Sequence, residues 1–225
     1  VHLNSPRTDT SVDEIVRATR SWYDREAGGY GERTSSYEPF PGLLDEISRF
    51  TTGLAALSGP VLDLGCGAGR DTEFFQRNGL EVVAADLSTA MLLATTARCG
   101  RAGVRPVQLD MRQLPFGADV FRGVWICASL VHMPPAGIPG VLRELHRTVR
   151  TGGGQVAISM RNGNHRDKDT NATVWATEPN TNGRRWFTYV DPADFEELLR
   201  EHGFVDCRSV SSGRANWFIT YGRKS

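Results

Sequence analysis

The stretch VLDLGCGAGRDT, residues 61–72, decides how this chain is read. Val61–Leu64 is a short run with the look of a buried strand, and it passes straight into GCGAG, Gly65–Gly69. A helix is predicted from Asp71 to Asn78. Glycines at such a junction let the backbone turn sharply and approach a ligand without interference from a Cβ. Twenty-one residues after Gly65, Asp86 closes a second apolar run, Glu81–Ala85. In a βαβ unit, an acid at that strand end accepts the ribose hydroxyls of a nucleoside lying across the sheet edge. The glycine turn and Asp86 together predict an adenosine-type ligand. The dinucleotide fingerprint would need glycine where Arg70 stands, and a P-loop would need a lysine that this segment lacks.

Working outward, apolar runs continue to alternate with helical stretches. A helix over Ser88–Arg101 precedes a strand at Val104–Leu109, and VFRGVWICA is the next strand. A helix over Gly137–Arg150 then leads to the strand QVAISM. Such alternation predicts a parallel sheet wrapped by helices. Arg161–Arg185 is polar, rich in asparagine and without periodicity, as expected of a binding loop or lid. After WFTY come a helix over Asp191–His202 and two strands, Phe204–Val210 and Ala215–Gly222, expected to pair as an antiparallel hairpin. Upstream, SVDEIVRATRSWYDREA reads as a helix in which Ser11 and Glu14 have capping-box spacing. GGYGERTSSYEPFPG reads as a loop, and a second helix is predicted over Leu43–Leu57.

Composition narrows the function classes. The chain has 225 residues, enough for one domain with a modest extension, and its 26 Lys+Arg balance 26 Asp+Glu. That balance argues against a partner of nucleic acid. Only Lys168 and Lys224 are lysines, a bias toward arginine typical of a GC-rich source. The longest apolar run, Gly123–Val131, is too short to span a membrane, and no charged-then-apolar leader opens the sequence, so a cytoplasmic location is expected. Cys66, Cys99, Cys127 and Cys207 have no metal-ligand spacing, and no metal site is predicted.

The run VLDLGCGAGRDT resembles the first motif of the class I S-adenosylmethionine (SAM)-dependent methyltransferases. VVAADLS, LDMRQLPF and VWICASLVHMPP resemble the three motifs that follow, and HRTVRTGGGQVAIS the next helix, turn and strand. The resemblance implies an α/β fold: a Rossmann-like, seven-stranded, mostly parallel sheet with helices on both faces, an antiparallel C-terminal hairpin and an N-terminal helical cover. Residues 1–58 would form the arm and helical lid, residues 59–225 the SAM-binding domain, and 161–185 an insertion covering the site. It also implies a pocket. Asp63 and the Gly65 carbonyl would receive the methionine ammonium, with Cys66 and Gly67 in the turn beneath the ligand. Asp86 would bind the ribose, Leu87 and Met91 would flank the adenine, and Asp110 with the Met111 N–H would read its edge. Cys127 and Ser129 would pass near the sulfonium.

Methyl transfer needs alignment of an acceptor and, for a weakly acidic hydroxyl, a base. His132, following the fourth strand, is the first candidate base, and His165 in the insertion the second. Tyr23 and Tyr37 are expected to line the site, with Arg33 and Arg161 available to pair with a carboxylate. The expected function is methyl transfer from SAM, leaving S-adenosylhomocysteine (SAH), to O, N or C of a small molecule such as a secondary metabolite, by a monomer or homodimer. Transfer of another SAM carbon, cyclisation of SAM, and a non-catalytic SAM-binding module stay open at this level.

Overall fold

The computed structural model describes residues 10–100, 104–163, 173–176, 185–211, 213 and 216–225. Helix α1 spans Val12–Arg33 and opens with a closed capping box: the Glu14 N–H donates to Ser11 Oγ at 3.3 Å, and the Ser11 N–H to Glu14 Oε2 at 2.7 Å. The helix does not stop where the sequence predicts a loop but runs on through Gly28 and Gly29. Each such glycine costs about 1 kcal/mol relative to alanine. Tertiary contacts offset that cost, because the Arg185 guanidinium stands over the rings of Trp22, Tyr23 and Tyr30 at 4.0, 5.2 and 6.0 Å from their centroids. Gly31 adds a close approach: a Cβ there would sit 3.1 Å from that of Ala68, so its absence lets the helix lie against the glycine turn.

Helix α2, Leu43–Gly53, buries Leu43, Ile47 and Phe50 along one face. The alternating region then supplies β1 (Val61–Leu64), α3 (Arg70–Arg77), β2 (Val82–Asp86), α4 (Thr89–Cys99), β3 (Val104–Gln108), β4 (Gly123–Ile126), α5 (Ile138–Thr148) and β5 (Gln155–Asn162). These five strands are parallel in the order β3-β2-β1-β4-β5. The chain closes with α6 (Pro192–Glu201), β8 (Phe204–Ser211) and β9 (Trp217–Lys224). Strand β9 runs antiparallel to both β5 and β8, so the C-terminal hairpin completes a seven-stranded, mostly parallel sheet. Side chains alternate across it as strand geometry requires. Leu62, Leu64, Val124, Ile126, Val156 and Ile158 pack toward α5 and α6. Val61, Val82, Trp125 and Ala157 pack toward α2 and α3.

Part of the polar insertion is not a loop. Thr173–Ala176 (β6) and Arg185–Val190 (β7) form an antiparallel pair, and β7 joins the end of β5 through Arg161–Tyr189 and Asn162–Val190. The sheet therefore has nine strands where seven were expected. The pattern hid β7 because it is buried on both faces and is too short to show a period among polar neighbours. His165 lies outside the described residues. Among the described residues, no helix is long and apolar enough to cross a membrane, and no group of three or more His, Cys, Asp or Glu is placed to hold a metal ion.

Candidate functional site

The C-terminal ends of β1, β2 and β4 open onto a cavity whose floor is the glycine turn. Gly65 adopts φ +80°, and a Cβ there would lie 1.9 Å from Ser129 Oγ, so the turn after β1 and the loop after β4 touch through this residue. Gly65→Ala should therefore combine left-handed backbone strain with overpacking, a loss of about 2–5 kcal/mol. A melting curve should show the midpoint falling by roughly 5–15 °C for a chain of this size; an unchanged midpoint would mean that the two loops separate freely.

Asp86 sits at the tip of β2 and ties the turn to the second loop. Its Oδ2 accepts from the Gly67 N–H at 3.0 Å and its Oδ1 from the Ser88 N–H at 2.8 Å. Burial raises its carboxyl above the usual range, and these N–H donors oppose that rise. Further along the wall, Arg112 grips Asp110 through Nη2 at 2.7 Å and reaches Asp13 of α1 through Nη1 at 2.6 Å. Burial works against ionisation of Asp110, but the Arg112 fork and backbone N–H hold its carboxyl below the usual range. Midway along α1, Asp24 accepts from Ser88 Oγ at 2.6 Å. These ties, at Asp13 and at Asp24, seat α1 across the cavity. The lining accordingly combines Gly65, Gly67, Asp86, Leu87, Asp110 and Met111 with Val16, Thr19, Tyr23 and Tyr30 of the helix.

Beneath the turn lies a buried carboxylate layer. Asp63 is 1% exposed, and its Oδ2 accepts from Thr72 Oγ1 at 2.5 Å. Asp71 accepts from Arg70 Nε at 2.7 Å, Trp125 Nε1 at 2.9 Å and Tyr37 Oη at 2.9 Å. Burial opposes the charge on Asp71, yet the Arg70 guanidinium and these donors keep its carboxyl below the usual range. Burial and the neighbouring Asp71 push Asp63 up to about 8. Arg70 also stacks on Tyr37 and Phe40, at 4.9 and 4.8 Å from the ring centroids. This explains arginine at the position where a dinucleotide turn has glycine: it holds the loop before α2 against α3.

Above the cavity, Ala128 takes φ +53°, a turn that bends the chain off β4 and carries it into a 3-10 turn, Leu130–His132. Bent this way, the loop presents Cys127, Ala128, Ser129 and His132 to the cavity. His132 is buried, and its Nδ1 lies 2.7 Å from the carbonyl oxygen of Trp186. A carbonyl only accepts, so the proton is on Nδ1 and the lone pair is on Nε2. That lone pair is 2.7 Å from Tyr23 Oη, which itself accepts from Arg185 Nη1 at 2.6 Å. The result is a directed chain of hydrogen bonds: Arg185 to Tyr23, Tyr23 to His132, His132 to Trp186. Burial first, then the nearby charges of Arg185 and Arg161, depress His132 to about 3. Burial, with Tyr30 beside it, holds the Tyr23 hydroxyl well above the usual phenol range.

The structure thus brings Gly65, Gly67, Asp86, Leu87, Asp110, Met111, Cys127, Tyr23 and His132 to one cavity. Four other sequence candidates stand behind that wall. Asp63 belongs to the carboxylate layer, and Cys66 is buried with Sγ 3.6 Å from Thr95 Oγ1. Met91 is buried at the start of α4, and Tyr37 is drawn away from the cavity by its bond to Asp71. Thr19 and Arg185 were missed. Thr19 reads as one more residue on the apolar face of α1, and Arg185 comes from a strand invisible in the sequence pattern.

Comparison with known proteins places this geometry. Residues 61–153 match the family described as Methyltransferase domain. The malonyl-[acyl-carrier protein] O-methyltransferase of Salmonella typhimurium is 34% identical over 131 residues, 56% of this chain and 50% of that protein. The demethylmenaquinone methyltransferase of Mycobacterium bovis is 39% identical over 112 residues, 48% of this chain and 45% of that protein. The chain spans about half the length of these curated relatives. Among solved structures, the Burkholderia thailandensis 1,6-didemethyltoxoflavin-N1-methyltransferase, with bound 1,6-didemethyltoxoflavin and SAH, superposes with a TM-score of 0.73 at 22% identity. That overlap covers 98% of this chain and 93% of the other, and at such identity it speaks for the fold. The family match thus runs from β1 to the turn before β5, and the chain as a whole shares its fold with a methyltransferase.

Proposed function

We propose that the protein transfers the methyl group of SAM to O, N or C of a small molecule. The observation that carries this reading is the continuity of one cavity from the glycine turn and Asp86 to the His132–Tyr23 pair. Its residues fit an adenosyl sulfonium. Thr19 Oγ1 is buried in the wall without a hydrogen-bond partner, and Gly67, at φ +55°, has only the edge of Tyr30 within 4 Å of the place a Cβ would occupy. Asp86 would take the ribose hydroxyls, Leu87, Asp110 and Met111 the adenine, and the Gly65 carbonyl the ammonium. When bound, SAM supplies a methyl carbon already activated toward in-line displacement by its sulfonium.

The chain's own contribution is alignment, exclusion of water and placement of a proton. Helix α1 closes over the cavity, and in this reading it is the lid, whereas α2 packs into the core of the sheet. Tyr23 holds its proton against His132 Nε2, while Arg185 donates to the same oxygen. An acceptor hydroxyl or amine replacing either partner would meet a donor and an acceptor at defined atoms. His132 stays neutral in the physiological range, so it orients the acceptor and receives a proton only as charge develops beside it. The balanced composition supports free small molecules in the cytoplasm as acceptors over nucleic acid. The test is direct: purified protein with SAM and an acceptor panel should yield SAH, whereas methylthioadenosine as the product would identify a different use of the sulfonium.

A further inference from the structure

Past Ala128 the cavity opens into a second chamber, of about 220 Å³, which shares Tyr23, Tyr30 and His132 with the first. Arg33, Arg161 and Arg185 line it, with Phe40, Phe187 and Trp217, and no Asp or Glu is among its described lining residues. Arg161 is the informative one. Its guanidinium stands over Phe187, Trp217 and Tyr189, at 4.5, 5.1 and 5.6 Å from the ring centroids. Its Nη1 donates to Tyr189 Oη at 2.9 Å, but its Nε is buried and has no hydrogen-bond partner. Aromatic faces orient a guanidinium without neutralising it. A buried N–H left unpaired costs free energy that an incoming acceptor atom would recover.

We propose that this chamber is the acceptor subsite and selects an anionic acceptor: a carboxylate or phosphoryl group held by Arg161, on an apolar body of about one ring. The inference rests on the methyl-transfer reading, because it assigns the chamber next to the donor cavity to the methyl acceptor. The planar fork of Arg161 suits the two oxygens of either anion. Arg33 and Arg185 line the same chamber, from the end of α1 and the start of β7. Phe40 and Trp217 offer the apolar surface. The volume suits a single ring, since an apolar cavity of about 150 Å³ holds benzene. An anion bound here would also offset the charge that depresses His132, so recognition of the acceptor and basicity of His132 would rise together.

The test is calorimetric titration of SAH-loaded protein with 4-hydroxybenzoate, 4-hydroxyphenylphosphonate and the neutral 4-hydroxybenzamide. Wild type should bind one of the two anions at least about tenfold more tightly than the amide, as expected when a charged hydrogen bond is gained. The carboxylate and phosphonate arms decide which anion is preferred. Arg161→Gln should reduce the preference to less than about threefold, Arg161→Lys should retain part of it, and both should bind SAH within about twofold of wild type. Arg33→Gln, at an exposed position, should weaken the anion only about two- to threefold. Equal affinity for anion and amide, no anion binding at about 10 mM, or a preference that survives Arg161→Gln would overturn the proposal while leaving the SAH site standing. Failure of SAH itself to bind would instead overturn the methyl-transfer reading, and this inference with it.

Discussion

Asp86→Ala should almost eliminate the thermal stabilisation that SAH confers on this protein. At a ligand concentration a hundredfold above Kd, the wild type gains about 2.7 kcal/mol. For this chain length that is a rise of roughly 5–11 °C in the melting midpoint. Hydrogen bonds from the ribose hydroxyls to a carboxylate contribute about 1.5–3 kcal/mol each, so losing two weakens binding by roughly 10²-fold or more. At unchanged ligand concentration the gain then falls to about 0.4 kcal/mol or less, a shift of no more than about 2 °C. The same carboxylate accepts from the Gly67 and Ser88 N–H groups, so the variant should also melt somewhat lower without ligand. Asp86→Asn, which keeps one acceptor oxygen, separates the two effects: it should retain more of the loop's stability while still losing ligand affinity. A full ligand shift in Asp86→Ala would show that the end of β2 does not hold the nucleoside.

The second large effect concerns His132 and appears as a dependence of stability on pH. In the folded protein its pKa is depressed from 6.5 to about 3. Between those values the unfolded chain binds a proton that the folded chain does not. Stability therefore rises with pH across the window, is fully present above 6.5, and is lost as the pH falls toward 3. The slope from this one group approaches about 1.4 kcal/mol per pH unit. His132→Gln removes the titration while keeping a polar side chain near Tyr23 and the Trp186 carbonyl. Denaturant unfolding between pH 6 and pH 4 should thus give a slope shallower by about that amount, with some loss of stability at neutral pH from the altered hydrogen bonds. If the relay also serves the reaction, the same variant should lose about 10²-fold or more in turnover of any acceptor whose proton must be removed. Parallel stability curves for wild type and variant would mean that His132 is protonated in the folded state, and the directed chain from Arg185 would have to be redrawn.

The His132 environment is what the sequence could not disclose. SLVHMPP marks the loop after β4 and makes His132 a candidate base. Its low pKa, however, comes from burial and from Arg185 and Arg161, which arrive from β7 and the end of β5. Tyr23 and Tyr37 looked equivalent as aromatic residues of the N-terminal region. Helix α1 delivers Tyr23 to His132, whereas the buried Arg70–Asp71 pair captures Tyr37.

What the sequence by itself determined is local and periodic. The strand–glycine–helix junction at Val61–Thr72, the acid at the tip of β2, the βα alternation and the Ser11–Glu14 cap each depend on near neighbours and on the fixed periods of strand and helix. Those features were sufficient for the parallel sheet and for the strand ends and glycine turn that line the cavity. What only the tertiary structure decided depends on contacts between residues far apart in the chain. Arg185, standing over Trp22, Tyr23 and Tyr30, supports α1 past its glycines, and it is brought there by a buried strand that begins where the polar insertion ends. A site's wall is read from local pattern, but its electrostatics are set by whichever charges folding brings within a few ångströms, and no sequence period encodes those distances.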